Sequence, residues 1–139
     1  HERKRGLMSQ HASERPLSPH IQIYRPAISM VMSIVHRITG SALYIGMLLL
    51  VWWLIAAASG PGYYNVAMDW IGSPIGYLVL VGLSWAVFHH ALGGLRHFLW
   101  DTGRGFEIPT VLRLSWATLI GSLTLTVVFW AALLTTGVI

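Results

Sequence analysis

The stretch "ITGSALYIGMLLLVWWLIAAASGPGYYNVAM", Ile38 to Met68, contains no Asp, Glu, Lys or Arg. A helix needs about 20 predominantly apolar residues to cross the hydrocarbon core of a bilayer, and this run exceeds that length before its first turn residues. A second uncharged run closes the chain, from Leu114 to Ile139. Across the whole 139 residues, 55 % are hydrophobic and only 10 % are charged, where a soluble domain carries roughly a quarter charged residues. The chain reads as a small all-α membrane protein.

Outward from the opening run, three spans emerge, at about 29–58, 75–100 and 112–136. A basic arm, residues 1–28, precedes them. The first linker, "SGPGYYNVAMDWIGSP", has turn residues at both ends and paired aromatics suited to a membrane interface. The second, "DTGRGFEIPT", is short and polar, so the second and third spans should be antiparallel neighbours. Every Lys and Arg lies in the arm, at the start of the first span, or around the second linker: Arg3, Lys4, Arg5, Arg15, Arg25, Arg37, Arg96, Arg104 and Arg113. By the positive-inside rule the N-terminus and second linker face the cytoplasm or mitochondrial matrix. Basic flanks on a membrane protein account for the positive net charge without nucleic acid.

Cysteine is absent, which excludes disulfides, thiolate metal sites and cysteine nucleophiles. A metal or haem iron held by this chain would use histidine, methionine or oxygen ligands. Two polar clusters interrupt the oil, and the topology places both toward the inner face. In "SIVHRITG", Ser33 to Gly40, Ser33 and Arg37 are four apart and share a helix face, with His36 about 60° away. Arginine at the edge of a membrane is costly unless it snorkels or has a partner. Arg37 reads either as an interfacial anchor, with Ser33 and Gly40 easing helix packing, or as part of a polar pocket donating hydrogen bonds to a carbonyl or an anion.

The second cluster is "FHHALGGLRHFLWD", Phe88 to Asp101. His90 and His97 are seven apart and share a face, separated by roughly 10 Å along the axis. Arg96, His97 and Asp101 are expected near the interface and His90 deeper. Gly93 and Gly94 follow on nearly the same face as His90, leaving room for a flat group such as a porphyrin or for a neighbouring helix. His89 is rotated about 100° from His90 and cannot share its target. His90 alone is compatible with a neutral imidazole hydrogen-bonded to a neighbouring helix. The whole set suits a haem held edge-on, its iron at the deep histidine and its propionates among cations nearer the surface.

"RPLSPHIQIYRP" (Arg15 to Pro26), "SIVHRITG" and "HHALGGLRHFLWD", in that order on a three-span chain, strongly resemble the cytochrome b membrane-anchor subunit of succinate dehydrogenase, respiratory complex II. The mitochondrial and alphaproteobacterial branch is the nearer match, and the likeness runs from about Arg15 to Pro109. The resemblance implies one half of a six-helix anchor bundle shared with a sister anchor subunit. It implies docking of a flavoprotein and an iron–sulfur subunit on the inner face of a bacterial cytoplasmic or mitochondrial inner membrane. It also implies electron transfer from succinate to ubiquinone. By the family's motifs, Ser33, Ile34 and Arg37 match the quinone-binding residues. His90, six residues before "RH", matches an axial ligand of haem b, the second coming from the sister subunit. His36, Arg37, His97 and Gly94 fall at the haem edge and propionates. His89 stands where the family more often has an aromatic residue. The chain has no flavin motif and no iron–sulfur ligands, so succinate oxidation would take place on partners. The other readings are a haem-free structural anchor and, last, a small proton-conducting or transport protein using the histidines as a relay. The third span carries no recognised motif and reads as packing surface.

Overall fold

The computed structural model describes residues 19–137; residues 1–18, most of the segment assigned to 1–28, lie outside the described residues. Among the described residues the chain is helical throughout: a single turn α1 (His20–Ile23), then α2 (Ile28–Ala58), α3 (Pro61–Ile71), α4 (Pro74–Asp101) and α5 (Ile108–Thr135). Three of these, α2, α4 and α5, are long and apolar enough to cross a membrane. At 1.5 Å per residue, the 31 residues of α2 extend roughly 46 Å, beyond the ~30 Å hydrocarbon core. Their ends therefore reach the headgroup layers, where polar clusters are tolerated.

The helix boundaries follow local backbone chemistry. Gly60 adopts φ 101°, a left-handed conformation that glycine adopts without steric cost, and it breaks α2 from α3. Pro61, Pro74 and Pro109 sit in the first turns of α3, α4 and α5, where a missing N–H costs nothing. Ser73 caps α4 by accepting the Gly76 amide at 3.1 Å. Gly103 (φ 75°) and Gly105 (φ 79°) turn the chain from α4 into α5, and Trp100 Nε1 donates to the Gly105 carbonyl at 3.1 Å across that turn. The first linker is more ordered than its turn residues suggested. Pro61 restarts a helix of 11 residues, and Trp52 Nε1 donates to the Tyr63 hydroxyl at 3.0 Å, tying α3 to α2.

Helix α4 is the centre of the arrangement, packed against α5 on one side and α2 on the other. The α4–α5 seam is polar. The buried residues of α5 are Ser115, Thr118, Ser122 and Thr126, spaced three, four and four apart, as a helix stripe requires. Small hydroxyl residues let membrane helices approach closely and then hydrogen-bond across the gap. Each of these four hydroxyls also satisfies itself on a backbone carbonyl three or four residues back, so burial leaves no orphan. The α2 helix is the opposite case: only Met32, Thr39 and Ala56 are buried, and Ile34, Ile38, Ile45, Leu48 and Ile55 are more than half exposed.

Candidate functional site

The α2–α4 contact is built from two glycines and two histidines in reciprocal pairs. His90 on α4 lies over Gly40 on α2, where an added Cβ would sit 3.0 Å from the His90 Cε1. His36 on α2 lies over Gly93 on α4, where a Cβ would collide with the imidazole at Nδ1. The two rings stack between the helices, centroids 3.9 Å apart and planes 4° from parallel. Each glycine thus makes the groove that the other helix's histidine fills.

The protons on His90 follow from its partners. Its Nδ1 is 3.1 Å from the backbone carbonyl of His36 and 3.3 Å from Thr39 Oγ1. Thr39 gives its own proton to that same carbonyl at 2.9 Å. A carbonyl can only accept, so Nδ1 of His90 carries the ring proton. The lone pair is then on Nε2, which makes no hydrogen bond among the described residues. An imidazole with one nitrogen donating to a backbone carbonyl and the other unused has the arrangement of a metal-ligating histidine. Buried nearby, His36 Nδ1 has no hydrogen-bond partner.

His97 continues the row toward the end of α4. Its ring centroid is 5.4 Å from that of His36 and 5.2 Å from that of Trp100, and the side chain is exposed. Gly94, beside Gly93, has nothing within 4 Å of the place a Cβ would occupy, so its side of α4 is open. Ser33, Ile34 and Arg37 are all exposed on α2 and have no side-chain hydrogen-bond partner among the described residues. The structure therefore brings His36, His90 and His97 into one row. Ser33, Ile34 and Arg37 lie on the open part of α2 near it.

One expectation is corrected. Arg96 does not sit at the surface as a cation for an anionic group. It is 5 % exposed, its Nη1 donates to Ser115 Oγ at 3.2 Å, and its guanidinium carbon lies 5.1 Å from the Trp100 ring centroid. The single residue step from His97 turns it by 100°, toward α5 and away from the histidine row. Gly93 makes room for a neighbouring helix's histidine, while Gly94 is the member of the pair left open. Sequence reasoning also missed Thr39, although it lies inside the "HRITG" segment singled out. A threonine one turn after His36 on the seam with α4 was the available signal. The hydroxyl stripe of α5 was missed as well, although its spacing is readable.

Two sets of relatives bear on this arrangement. Residues 11–129 match the family model described as "Succinate dehydrogenase/Fumarate reductase transmembrane subunit". The "Succinate dehydrogenase cytochrome b556 subunit" of Paracoccus denitrificans is 46 % identical over 114 residues, covering 81 % of this chain and 87 % of that one. The protein of the same name from Rickettsia conorii is 42 % identical over 118 residues, covering 85 % and 92 %. The mitochondrial "cytochrome b560 subunit" of Sus scrofa is 37 % identical over 106 residues, covering 73 % and 61 %. With three membrane-length helices, a family match over most of its length and relatives above 40 % identity, this multi-pass membrane chain belongs to the family of succinate dehydrogenase cytochrome b membrane-anchor subunits.

Proposed function

We propose that the chain holds a b-type haem through His90, contributes Ser33, Ile34 and Arg37 to a ubiquinone-reduction site, and docks the flavoprotein and iron–sulfur subunits on the inner face. The observation that carries the haem reading is the hydrogen bond from His90 Nδ1 to the His36 carbonyl, which leaves Nε2 as the ring's unused lone pair. No three His, Asp or Glu side chains cluster as a metal site among the described residues. His90 would be the residue that holds the haem, which would supply one-electron chemistry, with further ligation from a sister subunit. His89 is a poor rival, being 1 % exposed and hydrogen-bonded to α5. The open side of α4 at Gly94 and the exposed His97 and Arg37 suit the macrocycle's edge and its anionic propionates, with His36 between them.

When bound, the haem supplies a one-electron reservoir beside the quinone. The chain's own residues do the rest. Thr39 and the His36 carbonyl hold the His90 tautomer, and the Arg37 guanidinium and Ser33 hydroxyl offer donors to a quinone oxygen as negative charge develops there. The exposed apolar face of α2 suits a second three-helix subunit, completing a six-helix bundle. The distribution of Lys and Arg supports an N-terminus on the cytoplasmic or matrix side. The relatives' cytochrome names are consistent with this reading.

The test is a reduced-minus-oxidised spectrum of the assembled complex. His90→Tyr is expected to abolish the b-type band, and His89→Gln to keep it. Loss in the second with retention in the first would overturn the ligand assignment.

A further inference from the structure

His89 makes no contribution to the site just described, yet it is among the most buried side chains of the chain, at 1 % exposure. Its Nδ1 lies 3.2 Å from Ser122 Oγ on α5. Trp85, one turn earlier on α4, donates its indole N–H to the same oxygen at 3.2 Å, and its ring centroid is 5.1 Å from that of His89. Ser122, 0 % exposed, is also 2.9 Å from the Leu119 carbonyl.

A serine hydroxyl has one proton and two lone pairs. Only one distribution makes all three bonds: Ser122 donates to the Leu119 carbonyl and accepts from both Trp85 and His89. The hydroxyl is then fully used, and His89 carries a proton on Nδ1. Two donors from α4, at positions 85 and 89, converge on one oxygen of α5. Two points of attachment a turn apart fix the rotation of α4 about its axis as well as its height. His90, the next residue, points about 100° away, toward α2. A rotation of α4 that moved His89 off Ser122 would move His90 Nδ1 off the His36 carbonyl by the same angle.

We infer that His89, Trp85 and Ser122 are positioning residues for the haem-ligand histidine: the third membrane helix sets, through this three-centre contact, the direction in which His90 presents its Nε2. The inference rests on the reading of His90 as an iron ligand and adds to it a function for α5, which touches none of the proposed site residues through this contact. It also accounts for the adjacent histidines. One ring faces each neighbouring helix, and the outward one is locked so that the inward one is aimed.

The test uses the complete complex and the low-spin ferric haem signal in electron paramagnetic resonance. The lowest-field g value of that signal depends on the angle between the two axial imidazole planes. Ser122→Ala is expected to retain the haem but shift this g value and the haem midpoint potential, whereas Ser122→Thr, which keeps the hydroxyl, leaves both at the wild-type position. Neither variant shifting, or both shifting equally, would overturn the inference. Should Ser122→Ala fail to assemble, His89→Phe preserves most of the ring volume, removes the bond to Ser122 and carries the same two expectations. His90→Tyr is run alongside. If it keeps the haem, the ligand reading falls and the inference with it. If it loses the haem while the Ser122 variants are silent, only the positioning role falls.

Discussion

The two faces of α4 bury their histidines to different depths. Toward α5, His89 is closed in: a shared hydroxyl accepts a hydrogen bond from its Nδ1–H, an indole ring lies beside it, and Arg96 two turns on is likewise engaged by Ser115. Toward α2, His90 is only part-buried. One ring nitrogen is committed to a backbone carbonyl and the other has no partner among the described residues. His89 Nε2 is likewise without a partner among the described residues, so it is the shallower burial of His90, not its count of hydrogen bonds, that leaves it the more accessible of the two rings.

The largest effect should come from closing the gap on the α2 face. Gly93 admits the His36 ring with no room for a Cβ, and overpacking a fitted contact costs about 1–3 kcal/mol, more for a large side chain. Gly93→Leu should separate α2 from α4, remove the His36 carbonyl from His90 Nδ1, and leave the complex without its b-type band in a reduced-minus-oxidised spectrum. Full haem content in that variant would show that the reciprocal glycine–histidine packing is dispensable.

Next comes Arg37, which the structure leaves exposed on α2. If it donates to a quinone oxygen, Arg37→Ala should slow quinone reduction by roughly 10²-fold, the usual loss on removing one preorganised donor. Succinate oxidation coupled to an artificial dye should persist, because it needs only the soluble subunits. Ser33→Ala should act in the same direction and less strongly. Unchanged quinone kinetics in both variants would reduce Arg37 to an interfacial anchor.

The contrast between the faces was only half legible in the sequence. The three spans were readable because uncharged runs of sufficient length have one physical solution in a bilayer, and the two-histidine step of 100° separated His89 from His90. The partner of His89 was not readable. A Ser/Thr stripe in α5 is chemically bland, and which of its hydroxyls meets which helix depends on interhelical register, set by the turn at Gly103 and Gly105. Arg96 was misplaced for a related reason. Its position near the end of a span suggested snorkelling to the surface, but a serine on the adjacent helix and an indole one turn away gave it a buried alternative. The first linker's helix was missed because Gly60 and Pro61 signal a stop and a start equally well.

Gly94 sharpens the comparison from the other direction. It sits one step from Gly93 but its Cβ position is open, so by backbone preference alone Gly94→Ala should stabilise α4 by up to about 1 kcal/mol. If the haem edge lies there, the same substitution should lower haem occupancy or shift the haem spectrum even as the helix gains. Resistance to thermal unfolding in detergent and haem per complex, measured on the same preparation, separate the two. Both rising together would place the macrocycle elsewhere on α4.

The smallest effect is expected on the α5 face, away from the histidines. Ser115 accepts from Arg96 Nη1 while giving its own proton to the Val111 carbonyl. Ser115→Ala removes the acceptor but leaves Arg96 its cation–π contact with Trp100, and interhelical hydrogen bonds within membranes contribute on average only about 0.6 kcal/mol. A fall of a degree or two in the unfolding midpoint, with haem content and its resonance signal unchanged, is the expected result. Arg96 is already short of one partner, at its buried Nε, so the loss should stay this small only if the guanidinium can slide along the indole to another hydroxyl, and Thr118, one turn further along α5, offers one. Ser115→Ala combined with Thr118→Val removes that retreat, and a combined loss well beyond the sum of the two single losses would show that the hydroxyl stripe acts as an interchangeable row of acceptors for the buried arginine.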